Sequence, residues 1–176
     1  IYTTSKTKPS DEEIIRKAFF LHSQGKLSEA VKYYRHLITQ GSNEHRVYSN
    51  YATIMRAKGN LKEAEISTRK AIEIKPDFAT AYSNLGNILK DLRRFKEAEA
   101  TTRKAIEIKT DFASAHYNLG LILRELNNLK EAEISTRKAI ELQPEYANAY
   151  CSLGYILRDL HKFEEAEIST RKAIQF

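Results

Sequence analysis

The chain has 176 residues, 41% of them hydrophobic and 30% charged, with six Gly and three Pro, which excludes a disordered, collagenous or low-complexity polypeptide. A single cysteine excludes an internal disulfide framework and a multi-cysteine zinc site, and no apolar run approaches the roughly 18–20 residues of a membrane-spanning helix. The net charge of +6 is modest, its excess lies in the first two thirds, and no unbroken Lys/Arg run marks a nucleic-acid tail.

Residues 1–10 are polar, lack the apolar core of a signal peptide and do not begin with Met. They predict an N-terminal extension on a trimmed or processed chain, and a cytoplasmic protein. From Asp11 onward the sequence repeats itself. AEISTRKAI stands at 64–72, 132–140 and 166–174, and AEATTRKAI at 98–106, so successive starts differ by 34 residues. A second echo precedes each later copy: AYSNLGNILKDL at 81–92, AHYNLGLILREL at 115–126 and AYCSLGYILRDL at 149–160. Weaker copies occupy 47–58 and 13–24. The tiling predicts five units, at 11–44, 45–78, 79–112, 113–146 and 147–176, the last stopping at its thirtieth position.

Each unit carries two apolar patterns with spacings of three and four. In the third unit the first runs through Ala81, Tyr82, Leu85, Ile88, Leu89 and Leu92, and the second through Phe95, Ala98, Thr102, Ala105, Ile106 and Ile108. Both patterns are helical. Only two or three residues separate them, as at Gly25-Lys26, Gly59-Asn60 and Asn127-Asn128, so the paired helices are antiparallel neighbours. Asn60 and Asn128, each three residues before a Glu, read as capping boxes, and Asp77 and Asp111 as caps of the following helices. Pro76 and Pro144 end the helices before them. The prediction is about ten helices in five pairs, an all-α fold.

These residues resemble the tetratricopeptide repeat, or TPR, and the near-verbatim copies are similar to bacterial tandem TPR arrays. Leu85-Gly86, Leu119-Gly120 and Leu153-Gly154 match the family's first-helix pair. Ala98, Ala132 and Ala166, with Ala105, Ala139 and Ala173, match its small second-helix positions. Departures are the absence of Trp and the Thr68, Thr102, Thr136 and Thr170 column where the family places an aromatic. The resemblance implies a right-handed superhelix whose first helices line a concave groove, at unit positions 2, 5, 6, 9, 12 and 13.

In this chain those positions supply Asn50, Asn84 and Asn118 at 6, and Asn87 and Tyr155 at 9. They supply Arg56, Lys90, Arg124 and Arg158 at 12, and Tyr117 at 5. Asn donates to carbonyls and accepts from amides, Arg grips carboxylates, and Tyr offers a face for stacking. The expected ligand is therefore a protein or peptide, one with acidic groups included. Two structural alternatives stand beside this: the Asn column stitches neighbouring helices, and Asp91, Glu125 and Asp159 at position 13 pair with the cations of adjacent helices. The family's chaperone-tail clamp needs cations at positions 5 and 9, which this chain lacks.

No HExxH, metal-spaced Cys/His cluster, nucleophile pattern or phosphate loop occurs, so no metal, no cofactor and no enzyme activity is expected. Cys151 reads as a plain groove or core thiol, and His116 as a packing residue. The pairs Glu65–Arg69, Glu99–Arg103, Glu133–Arg137 and Glu167–Arg171, continued to Glu73, Glu107 and Glu141, read as solvated ladders. Lys90, Arg93, Arg94 and Lys96 form a basic cluster, and nucleic-acid binding is the weaker alternative it offers. Ile168, Ala173, Ile174 and Phe176 on the last helix lack a following unit and predict end-to-end self-association. The function expected is a non-catalytic protein-binding scaffold; the alternative is a recruitment arm of a larger enzyme of the transferase type.

Overall fold

The structure, a computed structural model, describes residues 10–176, so the extension predicted over residues 1–10 lies outside the described residues except for Ser10. The described residues form ten α-helices and no strands. They fall into two compact units, the first running to Ile74 and the second spanning Lys75–Phe176.

The first unit holds α1 (Asp11–Ser23), α2 (Leu27–Thr39), α3 (His45–Ala57) and α4 (Leu61–Ile74), each packed on its neighbour in chain order. α1 opens with a capping box that the sequence reading passed over: Ser10 Oγ accepts from Glu13 N at 3.3 Å, and the Glu13 carboxylate accepts from Ser10 N at 2.9 Å. α3 is capped by Glu44. The Arg46 side chain and backbone N–H both donate to its carboxylate and hold it at a pKa of about 2, against a smaller upward push from burial. Tyr34, Leu37, Val47 and Met55 are fully buried among these helices.

The second unit holds α5 (Ala79–Asp91), α6 (Phe95–Ile108), α7 (Ala113–Glu125), α8 (Leu129–Leu142), α9 (Ala147–Asp159) and α10 (Phe163–Gln175). Its core repeats with the sequence. Leu85, Ile88 and Leu89 recur as Leu119, Ile122 and Leu123, then as Leu153, Ile156 and Leu157, all at most 3% exposed. Burying each such side chain contributes roughly 1.5–3 kcal/mol. The Leu-Gly signature has a steric cause. A Cβ on Gly86, Gly120 or Gly154 would fall inside the van der Waals radius of the facing Thr102, Thr136 or Thr170 hydroxyl. The Thr column thus fills the space that the missing glycine side chain leaves. Thr136 and Thr170 also return their hydroxyl protons to the carbonyls of Ala132 and Ala166 at 2.8 and 2.9 Å.

Helix starts differ from the expectation. Phe78 and Phe112, not Asp77 and Asp111, occupy the N-cap positions of α5 and α7, with no side-chain cap. The aromatic rings instead pack under Lys75 and Lys109. Asn128 is the N-cap of α8, but its amide donates to the Glu131 carboxylate at 2.8 Å rather than accepting from backbone. Its backbone already lies in the tight link to the preceding helix, where Asn128 N donates to Leu123 O at 2.8 Å.

That link recurs in every hairpin and needs one residue of positive φ. Gly25 and Gly59 supply it in the first unit, while Arg93, Asn127 and His161 supply it in the second at φ 61°, 58° and 61°. Left-handed backbone costs an L-residue about 1 kcal/mol relative to glycine. Arg93→Gly and His161→Gly are each expected to raise the melting temperature by a few degrees in thermal denaturation, and Asn127→Gly by less.

Candidate functional site

In the second unit the first helices of successive hairpins, α5, α7 and α9, touch one another directly, whereas α6, α8 and α10 make no comparable approach. The candidate groove residues of this unit are carried on α5, α7 and α9, the helices that approach one another.

On α5, Asn84, Asn87 and Lys90 are half-buried. On α7, Tyr117 packs its ring 5.0 Å from that of Tyr146 at 48°, and burial, with Tyr117 beside it, pushes the Tyr146 phenol above its usual range. Asn118 is 8% exposed and donates through Nδ2 to Ser83 Oγ on α5 at 3.1 Å. This asparagine stitches two helices, the structural alternative anticipated for the column.

Arg124, Tyr155 and Arg158 converge. The Tyr155 ring is 47% exposed, with the Arg124 guanidinium 5.7 Å and the Arg158 guanidinium 5.3 Å from its centroid. Arg124 Nε donates to Asp159 Oδ2 at 2.7 Å, whereas Arg158 lies 3.8 Å from Asp159 Oδ1. The position-13 acids therefore do pair across helices, as Arg93 and Glu125 also do at 3.7 Å. Asp159 neutralises and anchors Arg124, and Arg158 keeps the exposed positive charge beside the ring.

In the first unit Asn50 Nδ2 donates to Tyr34 Oη at 3.3 Å, and Tyr34 Oη meets His22 Nδ1 at 3.0 Å. With its oxygen accepting from Asn50, the phenol donates to His22, which burial keeps below its ordinary pKa and hence neutral. Arg56 is half-buried on the same helix as Asn50. The sequence reading missed Tyr34, although the signal was present: the unit position that is Thr in the other four hairpins is Tyr here.

The basic cluster is compensated. Arg94 holds Glu97 at 2.6 Å, and Arg93 and Lys96 lie within 4 Å of Glu125 and Glu99. On the opposite face the four Glu–Arg pairs form at 2.6–3.0 Å. Their continuation differs from the expectation. Glu73, Glu107 and Glu141 pair with Lys70, Lys104 and Lys138, three residues earlier. Arg103 and Arg137 reach sideways to Glu131 and Glu165 on the next hairpin. Burial raises Glu133, but hydrogen bonds from Lys162 and Arg137 outweigh it and hold the carboxyl below its usual range.

At the last helix, Ile168 is 57% exposed, but so are its counterparts Ile66 and Ile134, at 70% and 68%. Its exposure is a property of the position. Phe176 stacks on Tyr150 with centroids 5.7 Å apart, and Ala173 is half-buried. Ile174 differs: it is 82% exposed, where its counterparts Ile106 and Ile140 pack against the following hairpin's core. Among the described residues no three His, Cys, Asp or Glu side chains come together as a metal site, and no helix is long and apolar enough to cross a membrane.

Hairpins stacked in register, without strands, define an α-helical solenoid of interaction-repeat type. Tetratricopeptide repeat models match residues 45–78, 79–112, 113–146 and 136–168, and the chain belongs to the TPR family. No curated protein matches it in sequence. Among solved structures it is similar to MamA, at TM-score 0.76 and 21% identity over 99% of this chain and 95% of that one. It is also similar to PilF of Pseudomonas aeruginosa, at TM-score 0.81 and 17% identity over 94% and 75%. A third is YrrB, described as a TPR protein with an unusual peptide-binding site, at TM-score 0.71 and 24% identity over 92% and 84%.

Proposed function

We propose that the chain is a non-catalytic scaffold that holds an extended peptide on the inner face of its second unit. The observation that carries this is the exposed Tyr155 ring flanked by two guanidiniums, one pinned by Asp159 and the other facing solvent. The ring takes an apolar or aromatic side chain, and Arg158 takes a carboxylate one or two residues away. Asn84, Asn87 and Lys90 extend the same face along α5 with groups suited to peptide backbone. The fold shared with YrrB agrees with a peptide-holding role. Asn118 contributes by fixing α7 against α5, and Asn50 and Arg56 belong to the inner face of the first unit.

The chain is to be screened against an array of random peptides, beside an Asn84→Ala, Asn87→Ala, Lys90→Ala variant. Selected peptides rich in Asp or Glu next to an aromatic, and lost from the variant, are the expected result. Equal recovery by both proteins moves the site off this face. Self-association through α10 is a second reading, supported by Ile174 alone of its four candidate residues, and Ile174→Lys tests it in sedimentation.

A further inference from the structure

Successive hairpins of the second unit leave gaps between them at the ends where first and second helices join. Between the α5–α6 and α7–α8 hairpins the gap is a cavity of about 370 Å³, bordered by Arg93, Phe95, Arg124 and Glu125. Arg93 reaches Glu125 across it at 3.7 Å and lies over the Phe95 ring at 5.9 Å, so a charged strut spans the gap and covers its aromatic wall. Between the α7–α8 and α9–α10 hairpins the matching cavity measures about 720 Å³. Asn127 stands there in the place of Arg93, and its short, uncharged side chain makes no such tie. Asp159, in the place of Glu125, turns to Arg124 instead.

The wider cavity is apolar on one side and meets the Tyr155 site on the other. Leu129 is half-buried in it, and Phe163 is 62% exposed, its ring tilted 67° to that of His161 with centroids 5.9 Å apart. Arg124 and Arg158, the two guanidiniums that flank Tyr155, form part of its border. The narrower cavity has no such neighbour, since Leu121 takes the place of Tyr155. Both carboxylates at the wider cavity are already held, Glu125 by Arg93 and Asp159 by Arg124. A cation entering it finds no free acid and is opposed by two guanidiniums. A carboxylate is taken at Arg158, the cation left to solvent. The group that suits the interior is an apolar side chain.

Resting on the reading of Tyr155 and Arg158 as the peptide site, we propose that the same peptide continues past Arg158 and seats a second apolar side chain in this cavity, on Phe163 and Leu129. The ligand class is then a three-point segment: an aromatic on Tyr155, an acid on Arg158 and an aliphatic residue beyond the acid. Tyr155 and Arg158 are one helical turn apart, about 4.5 Å, which one or two extended residues span. The peptide therefore crosses the inner face along α9 toward the hairpin turn, rather than running from hairpin to hairpin. Continuity favours the same peptide over a separate small ligand, because Arg158 borders both places and a carboxylate held there delivers the next residues to the rim of the cavity.

Fluorescence polarisation with labelled synthetic peptides tests this. Each peptide carries Phe, Ser and Glu, then one, two or three Ser and a Leu, in both sequence directions, with Ala or Lys replacing the Leu as controls. The best Leu peptide is expected to bind about fivefold tighter than its Ala partner. Phe163→Ala, a change at an exposed position, is expected to bring that ratio close to one. Asn127→Arg is expected to do the same, by giving this gap the strut that Arg93 provides one hairpin earlier. Circular dichroism confirms the fold of both variants. Arg158→Glu is expected to weaken the Leu and Ala peptides alike. A Leu advantage that is absent at every spacing, or that survives either substitution, overturns the proposal, and the Tyr155 site still stands where Arg158→Glu weakens both peptides. Binding indifferent to Arg158→Glu overturns the site and the proposal together. A Lys peptide that binds more tightly than the Leu peptide also overturns the proposal.

Discussion

Gly120→Phe is expected to cost the second unit about 3 kcal/mol or more, lowering its melting temperature by roughly 10 °C in thermal denaturation. Gly120 lies where α7 crosses α8. Even a methyl group there would overlap the Thr136 hydroxyl and stand 3.2 Å from the Ala132 carbonyl oxygen, and a benzyl group has nowhere to go without separating the helices. A graded series isolates the cause. Gly120→Ala is expected to cost about 1 kcal/mol, since the first unit carries Ala52 and Thr68 at the two equivalent positions. Adding Thr136→Ala is expected to recover most of that loss, because it removes the atom the new methyl meets and forfeits only a bond to a carbonyl already inside the helix. A melting curve unchanged by Gly120→Phe would show that α7 and α8 do not meet at this point.

Arg158→Glu is expected to weaken a peptide selected on the array by at least thirtyfold in fluorescence polarisation, about 2 kcal/mol. The neighbouring arginine cannot substitute, because Asp159 holds Arg124 at 2.7 Å and leaves Arg158 as the cation turned to solvent. The substitution also sets a new carboxylate beside Asp159, so the face repels the acidic peptide it attracted. Tyr155→Ala is expected to cost about tenfold through the lost ring, and Tyr155→Phe far less. The Arg158 contribution is exposed and is expected to shrink as salt rises, whereas the ring contribution is not. Affinity indifferent to Arg158→Glu would place the peptide elsewhere.

The architecture was legible because a strict 34-residue period fixes hairpins, their short links and the small residues at crossings, each of which needs only local sequence. The partners of polar residues were not, because a period says which face a side chain occupies and not which of two neighbours it meets. Asn118 shares its helical position with Asn84, yet it is spent on Ser83. Arg103 and Arg137 each keep the glutamate four residues earlier, but reach one on the next hairpin rather than the one four residues later, which a lysine already holds. Asp77 and Asp111 lost the cap positions by a single residue, since Phe78 and Phe112 directly precede the first helical residue, a boundary shift that the repeat period does not resolve. Ser10-Asp11-Glu12-Glu13 had the full capping signature and needed only to be read.

The contrast between the two sides of the second unit has a mechanical meaning. Its inner helices approach one another directly, with Asn118 bonded to Ser83 and Arg124 to Asp159, while its outer helices are tied only across a gap, by Arg103 to Glu131 and Arg137 to Glu165. Short-range packing resists both stretching and compression; ionic struts yield to electrolyte. Added electrolyte is therefore expected to loosen the outer layer before the inner one, an order that amide hydrogen exchange along α6, α8 and α10 would report.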